Sequence, residues 1–377
     1  MTPRVLVLGL TWPPETFISR LLAGLTERGV GVTVAVGARR AGARRAGARP
    51  AVVDPALARI DWLVLPSRGG SLADRLRRRI GPARGDNLPL ERFDVLYFPW
   101  NTAAIAYAPL LARKPAVISC RGAQINVAPH NPERAAIRDG LAATFARAAA
   151  VHCVSAAIRD EAAAYGLDAG KAVVIRPAVD PDVFRPGAAP ASPRAGGPLR
   201  IVTTGSVIWR KGYEYALLAM RRLIDQGVAA HFDIVGGGPE AQRLLYTIHD
   251  LALQDHVAWH GAQPPGEVLR RLQAADVFLL TSLSEGIANA ALEGMACGLP
   301  VVTSAVGGMA EAVTDGVEGF LTPARDPEAA AAALARLAAS PQMRRDMGAA
   351  ARRRVERDFR LSDQVGAFAD LFRAVAA

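Results

Sequence analysis

The sequence predicts an α/β protein with two Rossmann-like domains, each built on a doubly wound parallel sheet. Three observations predict this class. Short apolar runs alternate with helical patterns along almost the whole chain, which is the order that βαβ units produce. The chain has 377 residues, which is long for one core. A segment rich in Gly, Ala, Pro and Ser at 187–198 separates two such alternating halves, so we expect domains at 1–186 and 199–355 with a linker between them.

The first half begins an alternating pattern of buried strands and helices. Its strands are predicted at Val5–Gly9, Val32–Val36, Ile60–Leu65, Asp94–Phe98, Ala116–Cys120, Val151–Val154 and Val173–Ile175. A helix at Phe17–Arg28 joins the first two. The loop before this helix follows the carboxyl end of a strand, where ligands bind in such sheets. We therefore expect Trp12, Glu15 and Thr16 to line a ligand cleft, although Trp12 also suits a residue that only covers the core.

The second half repeats the pattern. Its predicted strands and helices are Ile201–Thr204, Tyr213–Asp225, Ile234–Val235, Val257–Trp259, Asp276–Leu280, Asn289–Cys297, Val301–Val302, Pro327–Ala339 and Pro341–Val355. The final segment, Phe359–Ala377, has an apolar side that includes Phe368 and Phe372, which is typical of a helix packed on a core.

The loop and helix between the strands at 276–280 and 301–302 carry the strongest functional signal. Glu285 lies in the loop and Glu293 inside the helix, eight residues on. Eight residues at the helical rise span at most about 12 Å, roughly the length from a sugar to a ribose across a diphosphate. Gly286 lets the loop pass close to a ligand. The start of the helix would present unpaired amides to an anion, namely those of Ile287, Ala288 and Asn289.

Spacing alone leaves open that both glutamates are solvated surface charges. The surrounding residues, however, resemble the retaining glycosyltransferases of family 4, which have the GT-B fold, and in particular members from bacterial polysaccharide biosynthesis. Glu285 and Glu293 match that family's paired-glutamate motif. Further matching positions are Ser282, Gly286, Cys297, Gly298, Pro300, Val301, Gly307, Gly308, Glu311, Gly316, Gly319, Pro323 and Asp326. The resemblance implies two domains that face a cleft, with the last helix, 356–377, returning to the first domain.

The loop from Gly205 to Gly212 adds to this resemblance. A basic residue next to the glycine at its end contacts the donor diphosphate in the family, and Lys211 matches it. Ser206 stands where the family has an arginine, and we expect Arg210 to compensate. A lysine that only caps a helix start is disfavoured, because a cation there opposes the helix dipole.

Arg121 follows the predicted strand Ala116–Cys120 and begins an Arg-Gly pair. In the resembled family this position reads His-Gly-x-Asp, or Arg-Gly in some bacterial polysaccharide transferases, and its first residue approaches the donor sugar. Gln124 stands where the acidic residue is usual, so the sequence departs from the pattern there.

The resemblance implies transfer of a hexosyl-type group from a nucleotide-diphosphate sugar to a glycan or lipid-linked acceptor, with retention at the anomeric carbon. The loop with Trp12, Glu15 and Thr16 is expected on the acceptor side. Glu285 would position and polarise the sugar, and Glu293 would hold the ribose. No metal and no cofactor are implied. The alternatives are a nucleotide-sugar epimerase, or a non-catalytic protein that binds sugar nucleotides on the same fold. A phosphorylase would need a cofactor lysine and a longer chain.

Charge and composition bear on partners and location. Residues 1–180 carry 25 Lys and Arg against 14 Asp and Glu, whereas the remainder carries 20 against 21. The basic amphipathic segment 71–80 suits an anionic membrane surface, although a charge run is usually a solvated face. The chain shows no leader pattern and no apolar run long enough to span a membrane, and its three cysteines lack pair spacing and metal-ligand spacing. We expect a cytoplasmic protein, peripheral on the membrane if the charge serves that purpose, with no nucleic-acid partner.

Overall fold

The computed structural model describes residues 2–11, 13–37, 55–65, 88–187 and 197–377. The chain forms two compact units: unit 1 comprises Met1–Arg176 and Ser362–Ala377, and unit 2 comprises Pro177–Leu361. The sequence placed the division at 187–198, most of which lies outside the described residues, and the structure places it ten residues earlier. The basic segment 71–80 and Trp12 also lie outside the described residues.

Residues 177–186 belong to unit 2 because side-chain and backbone bonds hold them there. The Arg352 guanidinium donates to the carbonyls of Pro181 at 2.9 Å and Phe184 at 2.7 Å. The same Nη1 atom lies 2.7 Å from the Ala296 carbonyl oxygen, so its two hydrogens are shared among three acceptors. A sequence pattern could not show this, since Arg352 lies far along the chain from the segment that it fixes.

Unit 1 contains a seven-stranded parallel sheet. Its strands are β1 (Arg4–Val7), β2 (Gly31–Gly37), β3 (Asp61–Leu65), β4 (Val95–Phe98), β5 (Ala116–Cys120), β6 (Ala150–Cys153) and β7 (Ala172–Val174). Among its described residues before 176, the helices are α1 (Thr16–Glu27), α2 (Asn101–Ala106), α3 (Ala123–Asn126), α4 (Ala135–Arg147) and α5 (Ala156–Ala163). The strand order is β3-β2-β1-β4-β5-β6-β7. The order reverses direction between β1 and β4, which is the switch point where ligands bind in doubly wound sheets.

Unit 2 contains a six-stranded parallel sheet. Its strands are β8 (Leu199–Thr204), β9 (Ala230–Val235), β10 (Val257–Trp259), β11 (Val277–Leu280), β12 (Val301–Ser304) and β13 (Gly319–Thr322). Its helices are α6 (Tyr213–Asp225), α7 (Ala241–Asp250), α8 (Pro265–Ala274), α9 (Asn289–Ala296), α10 (Met309–Ala312), α11 (Pro327–Ala339) and α12 (Pro341–Asp358). The order β10-β9-β8-β11-β12-β13 has its switch point between β8 and β11. The doubly wound α/β architecture predicted from the sequence is therefore confirmed.

The last helix, α13 (Leu361–Ala376), completes the core of unit 1. The Phe368 and Phe372 rings pack edge-on against Tyr97, with ring centroids 5.8 Å and 5.2 Å apart. Phe368 also contacts the His152 ring, 4.6 Å away. The return of the last helix to the first domain is thus present in the structure. Within the described residues, no helix is both long enough and apolar enough to cross a membrane.

Candidate active site

The loops that follow β8, β11 and β12 meet at the carboxyl edge of the sheet in unit 2. This edge lies at the switch point between β8 and β11. The strands leading into it are buried, as Val202, Leu280 and Val302 show. Short, fully buried strands hold the loops rigidly, so the side chains on these loops have defined positions.

Two hydrogen bonds join the loop after β8 to the loop after β11. The Thr281 hydroxyl donates to the Gly212 carbonyl at 2.9 Å, and the Leu283 amide donates to the Arg210 carbonyl at 2.7 Å. Gly212 has φ of +59°, and a Cβ atom there would lie 2.2 Å from the Thr281 carbonyl oxygen. Only glycine therefore permits this approach of the two loops.

This approach brings Lys211 and Glu285 together as an ion pair. The Lys211 Nζ atom lies 2.6 Å from Glu285 Oε1, and the two side chains are 16% and 11% exposed. The Ser282 hydroxyl donates to the same carboxylate oxygen at 2.7 Å. One Glu285 oxygen thus accepts two charge-assisted hydrogen bonds, one from an ammonium and one from a hydroxyl, which fixes the carboxylate.

The loop after β12 supports the Glu285 backbone from the other side. Gly307 has φ of +53°, and a Cβ atom there would meet the Glu285 carbonyl oxygen at 1.9 Å. The Gly308 amide donates to the Gly286 carbonyl at 2.5 Å. The glycine pair at 307–308 therefore holds the backbone that carries Glu285.

The start of α9 differs in part from the prediction. The amide of Ala288, expected to be unpaired, donates to the Met309 sulfur at 3.4 Å. The described residues provide no acceptor for the amides of Ile287 and Asn289. The sequence could not show the Ala288 contact, because Met309 belongs to a different loop.

Three buried polar atoms near this edge have no hydrogen-bond partner within the described residues: Thr204 Oγ1, Ser284 Oγ and Asn289 Oδ1. Thr204 ends β8, Ser284 lies in the loop after β11, and Asn289 begins α9. Buried polar atoms are normally paired. Their grouping at one sheet edge favours a polar ligand there.

Glu293 lies on α9 one turn after Asn289 and one turn before Cys297. Burial first, and the Glu293 charge second, raise the pKa of the Cys297 thiol to about 12. The thiol therefore stays protonated at neutral pH. Burial and the Glu285 charge likewise raise the pKa of Tyr213, whose hydroxyl donates to the Gly205 carbonyl at 3.2 Å.

The glycines of the neighbouring turns allow backbones to touch. A Cβ atom on Gly236, where φ is +149°, would lie 1.8 Å from the Gly205 carbonyl oxygen. A Cβ atom on Gly238 would lie 2.2 Å from the Val207 carbonyl oxygen. The Gly-rich turn after β9 therefore packs against the loop after β8, which supports the Lys211 turn.

The Arg210 side chain has no hydrogen-bond or ion-pair partner among the described residues, and its compensation for Ser206 stays a prediction.

In unit 1 the predicted residue Arg121 lies at the end of β5. Its Nη2 atom donates to the Tyr97 hydroxyl at 2.7 Å and its Nε atom to the Pro99 carbonyl at 3.2 Å. The guanidinium also lies 5.5 Å from the Phe17 ring centroid and 5.9 Å from that of Phe368. It is therefore held by two hydrogen bonds and two aromatic faces.

The predicted acceptor-side residues Glu15 and Thr16 are exposed at the start of α1, directly before Phe17. The structure thus brings this loop next to Arg121.

The structure also adds Asn101, which sequence reasoning missed. Asn101 is fully buried, its amide donates to the Gln124 carbonyl at 2.9 Å, and its Oδ1 atom has no partner within the described residues. An Asn three residues after the end of a buried strand was the signal that could have revealed it.

Two family profiles match this chain. Residues 14–183 match Glycosyltransferase Family 4, and residues 188–354 match Glycosyl transferases group 1. The chain therefore belongs to this family of glycosyltransferases, as the sequence motifs predicted.

Two curated relatives have names from bacterial polysaccharide synthesis. The chain is 39% identical over 201 residues to the putative colanic acid biosynthesis glycosyltransferase WcaL of Escherichia coli, covering 50% of this chain and 48% of that protein. It is 37% identical over 202 residues to the amylovoran biosynthesis glycosyltransferase AmsK of Erwinia amylovora, covering 52% and 49%. The match thus spans about half the length of these curated relatives.

Solved structures share the fold over the whole chain. Anabaena Alr3699/HepE in complex with UDP-glucose superposes with a TM-score of 0.78 at 18% identity, covering 99% of this chain and all of that one. Sucrose-phosphate synthase from Thermosynechococcus elongatus gives 0.77 at 20% identity, covering 100% and 99%. Both show that the two units follow the GT-B plan.

Proposed function

We propose that this protein transfers a hexosyl-type group from a nucleotide-diphosphate sugar to a glycan or lipid-linked acceptor, with retention at the anomeric carbon. The observation that carries the proposal is the Lys211–Glu285 pair at the switch point of the second sheet. A cation beside a carboxylate suits a substrate that is anionic at one end and rich in hydroxyls at the other. The solved complexes of Anabaena HepE with UDP and UDP-glucose support this donor class, and the colanic acid and amylovoran relatives support a role in polysaccharide synthesis.

The site residues take distinct roles in this proposal. The Lys211 ammonium donates to the departing diphosphate, which is electrostatic stabilisation at the point where charge develops. The amides of Ile287 and Asn289 add donors at the start of α9. Glu285 accepts hydrogen bonds from the sugar, and Glu293 accepts from the ribose. Because lysine and amides supply the positive charge, we propose that the reaction uses no metal.

The reaction balances without a protein nucleophile. The bond between the anomeric carbon and the phosphate oxygen breaks, and a bond from the same face of the sugar to the acceptor oxygen forms. The acceptor's proton passes to an oxygen of the departing phosphate. Retention follows because attack and departure share one face. Arg121, Glu15 and Thr16 are proposed as substrate contacts of unit 1.

The acceptor in this proposal is anionic or lies at a membrane surface. The basis is the charge of residues 1–180, with 25 Lys and Arg against 14 Asp and Glu. Each basic residue near an anionic leaflet contributes about 1 kcal/mol, so a few suffice for reversible attachment. A lipid-diphosphate-linked glycan fits that charge.

The test of the donor site uses a property of this chain, namely that Lys114, Lys171 and Lys211 are its only three lysines. Reductive methylation with ¹³C-formaldehyde keeps the lysine charge and gives one NMR signal for each. We expect the signal that is missing in Lys211→Ala to shift when UDP is added, and the other two to stay. The same variant should bind UDP about 2 kcal/mol more weakly, typical of a lost charge-assisted hydrogen bond.

Arg243→Ala is the matched control, since Arg243 is 58% exposed on α7 and pairs with Glu214. Unchanged UDP affinity in Lys211→Ala would place the diphosphate elsewhere. A panel of UDP-sugars with release of free UDP as the readout separates the alternatives. An epimerase converts the sugar without releasing UDP, and a non-catalytic protein binds UDP without either change.

A further inference from the structure

A continuous chain of buried side chains connects Arg121 to the backbone of Ile175, the residue directly after β7. Arg121 Nη2 lies 2.7 Å from the Tyr97 hydroxyl, which lies 3.1 Å from Ser119 Oγ. Ser119 Oγ lies 2.8 Å from His152 Nδ1, and His152 Nε2 lies 2.8 Å from the Ile175 carbonyl oxygen. The three middle residues are fully buried. We propose that Tyr97, Ser119 and His152 are positioning residues, which hold the Arg121 guanidinium in one orientation through a one-way chain of hydrogen bonds.

The two ends of the chain fix its direction. A guanidinium only donates and a carbonyl only accepts. Arg121 therefore donates to the Tyr97 oxygen, and the Tyr97 hydrogen goes to Ser119. Ser119 in turn donates to His152 Nδ1, and the hydrogen on Nε2 goes to the Ile175 carbonyl. With a neutral imidazole, every link then has one donor and one acceptor.

Only neutral His152 with its hydrogen on Nε2 fits this chain. A cationic imidazole carries a second hydrogen on Nδ1, directed at Ser119. Ser119 would then donate to Tyr97 instead of accepting from it. The Tyr97 oxygen would face two donors, Ser119 and Arg121, and the Tyr97 hydrogen would lose its acceptor. Burial first, and the Arg121 charge second, lower the pKa of His152 well below its ordinary value, which keeps the imidazole neutral.

Packing holds the chain in place. Ser119 and His152 are directly paired across β5 and β6. The Phe368 ring contacts Tyr97, His152 and the Arg121 guanidinium, at 5.8, 4.6 and 5.9 Å. Of the five N–H groups of the guanidinium, Tyr97 and the Pro99 carbonyl take two. The chain therefore sets the direction of the remaining ones, which matters for catalysis if Arg121 contacts the substrate; in this respect the inference rests on the proposed function.

The test removes single hydroxyl groups and measures Arg121 directly. In protein with isotope-labelled arginine, the Nε–H signal of Arg121 is the NMR signal that is absent from the spectrum of Arg121→Lys. Tyr97→Phe keeps the aromatic packing and removes one link, so we expect guanidinium rotation about five-fold faster and kcat about 10-fold lower, with KM little changed. Tyr165→Phe is the control, because its hydroxyl interacts with Glu161 outside the chain. Ser119→Ala interrupts the next link and replaces Tyr97→Phe if that variant does not fold.

The ¹⁵N chemical shifts of the two His152 ring nitrogens provide a second and independent measurement. They are assigned as the imidazole signals that are absent from the spectrum of His152→Gln. We expect the Nε2–H tautomer at pH 7. A His152 imidazole in the Nδ1–H tautomer, or one that is cationic, would overturn the proposal. So would a Tyr97→Phe variant in which the Arg121 guanidinium rotates no faster than in the Tyr165→Phe control. The NMR measurements do not depend on turnover, so an enzyme without transferase activity would refute the proposed function and leave the chain testable.

Discussion

Replacing Glu285 by Gln separates the catalytic role of this side chain from its effect on nucleotide binding. The substitution keeps the shape of the side chain and removes its charge. Lys211 Nζ, which lies 2.6 Å from the carboxylate, loses its counter-charge, while the Ser282 hydroxyl can still donate to the amide oxygen. We expect Glu285→Gln to abolish sugar transfer with the fold intact, and to bind UDP more tightly than the wild-type protein.

The magnitude of the tighter binding follows from the ion-pair geometry. A phosphate oxygen bound on the far side of Lys211 Nζ, at about 2.8 Å, would lie about 6 Å from the Glu285 carboxylate. Two unit charges at that distance repel by about 3 kcal/mol at an effective dielectric constant of 20, and by about 0.7 kcal/mol in water. Because both side chains retain some solvent contact, we expect a gain of about 1 kcal/mol, or roughly five-fold in Kd.

The assay is calorimetric titration of UDP into wild-type protein, Glu285→Gln, Lys211→Ala and the double variant, alongside melting curves and transfer rates. The two single variants should change UDP affinity in opposite directions. Near-normal turnover in Glu285→Gln with a normal melting curve would refute the catalytic assignment. Weaker UDP binding in that variant would refute the placement of the diphosphate beside Lys211.

Three further predictions concern the fold, the buried histidine and the membrane surface. Gly212→Ala should lower the free energy of unfolding by at least about 2 kcal/mol, because the new Cβ atom collides with Thr281 in addition to the strain of the left-handed backbone. The control is Gly227→Ala, where φ is +78° and the surrounding space is open. It should lower the free energy of unfolding by only about 1 kcal/mol. The pKa of His152 is lower in the folded state than in the unfolded state, so the unfolded state binds a proton first as the pH falls. The free energy of unfolding should therefore fall by about 1.4 kcal/mol per pH unit below about pH 6.5. Urea titrations should show a shallower fall in His152→Gln. The protein should sediment with anionic vesicles at low salt and not at high salt, and protein that stays in the supernatant at low salt would refute the surface proposal.

The sequence predicted most elements because their patterns are local. The helices Tyr213–Asp225 and Pro327–Ala339 and the strand Val257–Trp259 have the predicted bounds, since apolar spacing and end residues define them. The strand β13 was missed. It has four residues, and it begins at Gly319, where a Cβ atom would lie 1.9 Å from the Val301 carbonyl oxygen. A strand that begins with a close backbone contact leaves little apolar pattern to recognise.

The candidate site was predicted residue by residue but not as an arrangement. Motif matching selected Lys211 and Glu285 separately, and their direct pairing depends on Gly212 passing close to Thr281. Such contacts between backbones leave no side-chain periodicity in the sequence. The same holds for the chain that includes Tyr97 and His152, which read as ordinary core residues because each lies within a buried strand.

The return of the last helix has a consequence for the order of biosynthesis. Unit 1 is discontinuous in the sequence, because residues 362–377 pack into a core formed by residues before 177. Until the ribosome has made those last residues, the surface of Tyr97 that meets Phe368 and Phe372 stays uncovered. Unit 2 is one uninterrupted segment and has all its parts earlier. The domain that is translated first is therefore completed last, and the nascent chain carries an open aromatic face throughout the synthesis of the second domain.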